Sequence, residues 1–328
     1  MKKRWFSAFL ALVLLLGMAC GCAAAPEEDA ELATLGEITD ESIPLGGMPP
    51  IGIVLNPMAT GTATAKNDAA VIDYSNAADG YVMVKWTGGG NPKIKVQIKG
   101  PNCPDKYKYN LRTDGEYDVF PLSDGNGTYR ISVHKNMYDD QYSDVLAAKV
   151  DAKLTDEFAP FIRPNQYVNY SDDSEAVAMA AQLIADAGVE DNLSKVGVIY
   201  EWVVTNLKYD TARANQVKKG ELTGYLPDVD SVMNEKKGIC FDYAALMSAM
   251  LRSQGVPIKL VVGYTSTGVY HAWINVWSEE GGWVESMIYF DGKIWNLMDP
   301  TFASSGKQSK GIMDFINTPG NYKEKYLY

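Results

Sequence analysis

Histidine and cysteine are scarce in this 328-residue sequence, with two of the first and four of the second. His134 has no cysteine or carboxylate cluster beside it, and no calcium-type loop of spaced carboxylates occurs, so neither a metal nor another cofactor is expected. Basic residues are also few, 30 against 41 acidic for a net charge of −11, and they form no stripe. A nucleic-acid partner is therefore excluded. The one run of three glycines, Gly88–Gly90, lacks the lysine and following helix of a phosphate loop and reads as a hairpin turn. The only conspicuous leader-like apolar run is N-terminal, and it is shorter than the roughly 20 residues a spanning helix needs.

That run follows Lys2, Lys3 and Arg4 and ends in small residues, the pattern of a signal peptide. Cys20 and Cys22 follow small residues in a lipobox-like setting, so residues 1–22 are expected to be a leader, with one of these two cysteines lipidated. The protein would then be extracellular and tethered to the membrane by lipid. Beyond this region only Cys103 and Cys240 remain, too few for a disulfide framework.

Residues 23–66 mix acidic residues with Pro, Gly, Ala and Thr and show no sustained period, as a flexible linker does. From 67 to 154, short apolar stretches recur between Gly, Asn, Asp and Pro clusters. In KIKVQIK (93–99), Ile94, Val96 and Ile98 alternate with polar residues. This predicts an antiparallel, Ig-like β-sandwich domain. His134 reads as a surface residue at a strand end.

Residues 155–328 change period. Capping residues precede an Ala-rich helix that stops at Gly188, and a second helix begins near Ser194. A polar connection over 211–235 is long enough to be a lid or a groove wall. The stretch CFDYAALMSAMLRSQG (240–255) is apolar almost all round and reads as a buried central helix. Apolar strands follow at PIKLVVGY and GVYHAWINVW, and GWVESMIYF and KIWNLMD flank an Asp291–Gly292 turn. The fold class is α+β.

A cysteine at a helix start is commonly a small core residue. It becomes a nucleophile only as a thiolate, which helix-end N–H groups and a nearby imidazolium favour. Cys240 begins the central helix, His271 is the one histidine of this half, and Asp299 follows with Pro300 behind it. The order supplies nucleophile, base and orienter, with Asn275 as a competing orienter. Tyr264, Tyr270, Trp273, Trp277 and Trp283 could line a groove, although sheet packing is the simpler role.

GICFDYAALMSAMLRSQGVPIKLVVGY, HAW and WNLMDPTF resemble the three blocks of the transglutaminase-like superfamily, papain-like thiol enzymes with Cys–His–Asp order. The resemblance spans roughly 175–305. It implies Cys240 as nucleophile, His271 as base and acid, Asp299 as orienter, and an oxyanion donor at the Cys240 N–H with Tyr209 as a candidate second. The implied chemistry is acyl transfer through a thioester on peptide or glutamine amide bonds. No sign of a water-excluding tunnel is present, so hydrolysis of protein or cell-wall peptide is expected over amine cross-linking. The rival reading is a non-catalytic surface protein that binds through its sandwich.

Overall fold

A computed structural model of the chain describes residues 52–265, 268, 270–279, 281–290, 295–297 and 322–328. Cys20, Cys22, the Asp291–Gly292 turn and Asp299 lie outside the described residues.

In the first half, alternation becomes pleat. The strands are β1 (Thr64–Lys66), β2 (Ala70–Asp73), β3 (Tyr81–Trp86), β4 (Ile94–Lys99), β5 (Tyr107–Leu111), β6 (Asp118–Pro121), β7 (Gly127–Tyr138) and β8 (Gln141–Ala152). They form two four-stranded sheets, ordered β1-β2-β3-β6 and β5-β4-β7-β8, and every pairing is antiparallel. Ile94, Val96 and Ile98 are buried while Lys95, Gln97 and Lys99 are half-buried. Ile72, Val84 and Phe120 of one sheet and Val96, Tyr109 and Val133 of the other enter the same buried cluster.

Three local expectations change. The triple glycine is a crossover rather than a hairpin, because β3 and β4 belong to different sheets. Gly89 and Gly90 take φ of 68° and 67°, and the Trp86 indole donates to the Gly89 carbonyl at 3.0 Å. His134 lies inside β7, with Nδ1 2.8 Å from Asp144 and Nε2 2.8 Å from Ser132. It is a partnered structural residue. Residues 52–66, expected in the linker, are docked: the Ile53 N–H donates to the Ser253 carbonyl at 2.8 Å, and β1 pairs with β2. Main-chain bonding of this kind leaves no hydrophobic period to read.

The second half begins with α1 (Glu175–Ala187), which ends at Gly188 in the left-handed region, and α2 (Asn192–Asn206), whose cap Asp191 accepts from the Ser194 N–H at 2.9 Å. Then come β9 (Lys208–Tyr209), α3 (Thr211–Lys218), α4 (Val229–Glu235), β10 (Lys237–Gly238) and α5 (Cys240–Arg252). The expected long loop over 211–235 is thus two short helices joined by a turn. Asp210 and Asp228 cap them, accepting from the N–H groups of Arg213 and Ser231. The strands β11 (Ile258–Thr265), β12 (Tyr270–Ser278), β13 (Gly282–Phe290), β14 (Trp295–Leu297) and β15 (Tyr322–Leu327) close the chain as one antiparallel sheet, ordered β14-β13-β12-β11-β15.

Helix α5 is the hub. Tyr243, Leu246, Met247, Met250 and Leu251 are buried and pack with Val196 and Ile199 of α2 and with Leu260, Ala272 and Ile274 of the sheet. Its last residue, Arg252, is buried and donates to main-chain oxygens of Ile258, Arg163 and Tyr328 at 2.6–3.2 Å. Burial lowers its pKa to about 10. This guanidinium joins the helix end to β11 and to the C-terminal strand. Beside it, Tyr109 of β5, Tyr167 and Tyr328 pack in tilted and edge-on pairs, with ring centres 4.2–5.9 Å apart, so the two halves share an aromatic seam.

Candidate active site

Gly238 and Ile239 turn the chain from β10 into α5, placing Cys240 at the first helical position. The thiol is partly buried. The main-chain N–H groups of Ala272 on β12, of Phe241 and of Cys240 itself lie near it. The described ladder between β12 and β13 runs no further than Ile274 with Ile288, two residues short of Ala272. Burial pushes the thiol up to about 11, the N–H groups pull it down, and the Asp242 charge opposes ionisation. Burial thus outweighs the helix-end effect, and the low thiol pKa anticipated from sequence is not found. Cys103 and Cys240 are both free thiols.

His271 lies on β12, one residue before Ala272, and is 9% exposed. Its ring lies beside Trp273 at 6.4 Å, and Nε2 has no hydrogen-bond partner among the described residues. Burial lowers its pKa to about 4. The fold therefore brings Cys240 against the strand that carries His271, yet burial leaves both groups neutral at rest.

Asp299 lies outside the described residues. The strand leading to it, β14, pairs with β13, and β13 with β12. The strand β14 itself was expected beside β12, but β13, the GWVESMIYF segment, takes the place next to β12. Asn275, the competing orienter, is 2% exposed and donates to Glu324 of β15 at 2.6 Å. Tyr209 comes to the site: in the parallel pair β9–β10 it stands opposite Gly238, and its phenol is pushed up to about 12, by burial first and then by the nearby Cys240.

The aromatic residues divide. Tyr264 and Tyr270 are exposed and paired at 5.2 Å. Trp273 is buried, while Trp277 and Trp283 pack on Phe158 and Phe161 at 4.7 and 5.6 Å. Of these five only Trp283 lines either of two clefts of about 390 and 350 Å³, in the first together with Asp124 and Lys259.

Sequence reasoning missed the group behind the thiol. Asp242, 0% exposed, accepts from the Ile239 N–H at 2.8 Å and from the Tyr225 hydroxyl at 2.6 Å, with Arg213 Nη1 at 3.5 Å. Arg213 also reaches Glu235 at 3.0 Å and Asp210 at 3.6 Å, and Lys237 holds Asp210 at 3.0 Å. The available signal was an aspartate at the third position of an otherwise apolar helix.

Residues 178–286 match the family profile of the transglutaminase-like superfamily. This chain carries a transglutaminase-like domain. Cys240 and His271 lie within the matched stretch and Asp299 lies beyond it. Two curated relatives are similar to part of the chain. A UPF0252 protein of Methanocaldococcus jannaschii is 31% identical over 94 residues, 26% of this chain and 27% of that protein. The protein-glutamine gamma-glutamyltransferase of Pseudomonas aeruginosa is 32% identical over 68 residues, 17% of this chain and 10% of that protein. The chain thus spans about a quarter or less of the length of these relatives. A solved structure of a candidate cysteine protease from Cytophaga hutchinsonii aligns with a TM-score of 0.33 at 17% identity, covering 62% of this chain and 77% of that one.

Proposed function

We propose that the protein is a cell-surface thiol hydrolase that cleaves amide bonds in protein or cell-wall peptide. In this reading residues 1–22 direct export, lipid on Cys20 or Cys22 anchors the chain, residues 67–154 are an Ig-like sandwich domain, and residues 155–328 carry catalysis. The observation that carries it is Cys240 at the first position of a buried helix that packs on β12, the strand of His271, with the thiol near the Ala272 main chain.

The chemistry follows from two groups that rest neutral. When substrate occupies the site, His271 accepts the thiol proton as the Cys240 sulfur attacks the amide carbonyl, and the imidazolium then protonates the leaving amine. Water attacks the thioester with His271 again as base and frees the acid. Asp299 orients the imidazole. The Cys240 N–H and the Tyr209 hydroxyl hold the oxyanion, and the raised phenol pKa keeps Tyr209 a donor.

The test is incubation of wild-type protein and Cys240→Ser with casein and a fluorescent amine. Peptide release without amine incorporation, lost in Cys240→Ser, is the expected result. Amine incorporation without release would replace hydrolysis by cross-linking. Neither activity from folded wild type would leave the surface-binding reading.

A further inference from the structure

The segment between β9 and β10 does not simply pass the site. Its turn sends Tyr225 to the buried Asp242 carboxylate, and α3 sends Arg213 to the same carboxylate and to the Tyr225 hydroxyl at 3.2 Å. The Arg213 guanidinium also lies 5.7 Å from the Tyr225 ring centre. The fit is tight, since a Cβ on Gly238 would lie 2.5 Å from the Asp242 Cβ. Asp242 is one helical turn or less from the thiol, so its charge matters to Cys240 unless it is cancelled.

We propose that Arg213 and Tyr225 are positioning residues for Cys240: they close a donor set around the buried Asp242 carboxylate, fixing the start of α5 and offsetting the carboxylate's charge beside the thiol. The inference deepens the reading of Cys240 as nucleophile and rests on it. The charged or titratable groups beside the thiol are Asp242 on its own helix and Tyr209 from β9, and β12 carries His271 one residue before Ala272. Behind Asp242 stand Arg213 and Tyr225, with Asp210, Glu235 and Lys237 as the outer partners of Arg213 and Asp210. Burial raises the pKa of Asp242 and its donors lower it, while Tyr225 stays protonated and donating.

The experiment follows iodoacetamide alkylation of Cys240 in the full chain by peptide mass spectrometry, as a function of pH, with Cys103 as the reference in the same tube. Arg213→Met is expected to slow Cys240 about tenfold at pH 8, with its profile displaced upward by about one unit. Asp242→Asn displaces the profile downward, and the double variant returns to within about threefold of wild type. Arg213→Lys keeps the charge and also stays within about threefold. A clamp that served only folding would speed alkylation of both cysteines in Arg213→Met and give no recovery in the double variant. That outcome, or an unmoved profile in Arg213→Met, overturns the proposal. Should Arg213→Met fail to fold, Asp242→Asn decides, and a profile unmoved or displaced upward overturns it. Failure of the hydrolase reading shows separately, as wild type without amide turnover while Cys240 still responds to Arg213.

Discussion

Gly238 and Asp242 stand so close that a methyl group on the glycine would lie 2.5 Å from the aspartate Cβ and 3.1 Å from its Oδ2. Neither the Cβ nor the carboxylate can yield without moving the start of α5, because that carboxylate holds the Ile239 N–H. Gly238→Ala is therefore expected to cost about 1–3 kcal/mol by overpacking. A guanidinium-chloride midpoint measures the loss. An unchanged midpoint would show that the helix start relaxes freely.

The resting thiol gives a second expectation. With a pKa near 11, alkylation of Cys240 at pH 7 should be about a hundredfold slower than that of free cysteine and should keep rising to about pH 11. A thiolate–imidazolium pair would instead give a fast rate that is flat from pH 6. The same shift has a stability consequence. The unfolded thiol loses its proton first, so the stability linked to Cys240 is present below pH 9 and is lost as pH rises towards 11.

His271 acts at the acid side. Its imidazole titrates near 6.5 when unfolded and near 4 when folded, so as pH falls the unfolded chain takes up the proton first. The linked stability is intact above pH 6.5 and is lost towards pH 4, by up to about 3 kcal/mol. Urea unfolding of wild type and His271→Gln at pH 7 and pH 4.5 isolates the term. The wild type should lose more, and parallel losses would rule it out.

Asp299 and Asn275 are separable as orienters. Asn275 is engaged by Glu324, so Asn275→Ala should lower stability by about 1–3 kcal/mol and leave turnover near wild type. Asp299→Ala should lower kcat by about 10²–10⁴ with KM little changed. A large kcat loss in Asn275→Ala alone would exchange the two roles.

Arg252→Ala removes a buried cation and leaves the main-chain oxygens of Ile258, Arg163 and Tyr328 without that donor. The expected cost is about 3–5 kcal/mol, read from a chemical-denaturation curve. A cost under 1 kcal/mol would mean that other donors replace the guanidinium.

The sequence by itself determined the local elements. Two-residue alternation set the pleat of 94–99, the apolar run after Cys240 set a buried helix, and Gly188 ended α1, because these signals act over a few residues. It also singled out Cys240 and His271 by scarcity, and the fold brings the thiol against the strand of that histidine. Tertiary structure decided the rest. Which strands share a sheet made Gly88–Gly90 a crossover and put β13 between β12 and β14, and neither follows from local pattern. Desolvation, set by everything packed around a group, turned an anticipated thiolate pair into two neutral side chains. The closure of Arg213 and Tyr225 on Asp242 joins residues 29 and 17 positions from that aspartate, separations no periodicity records.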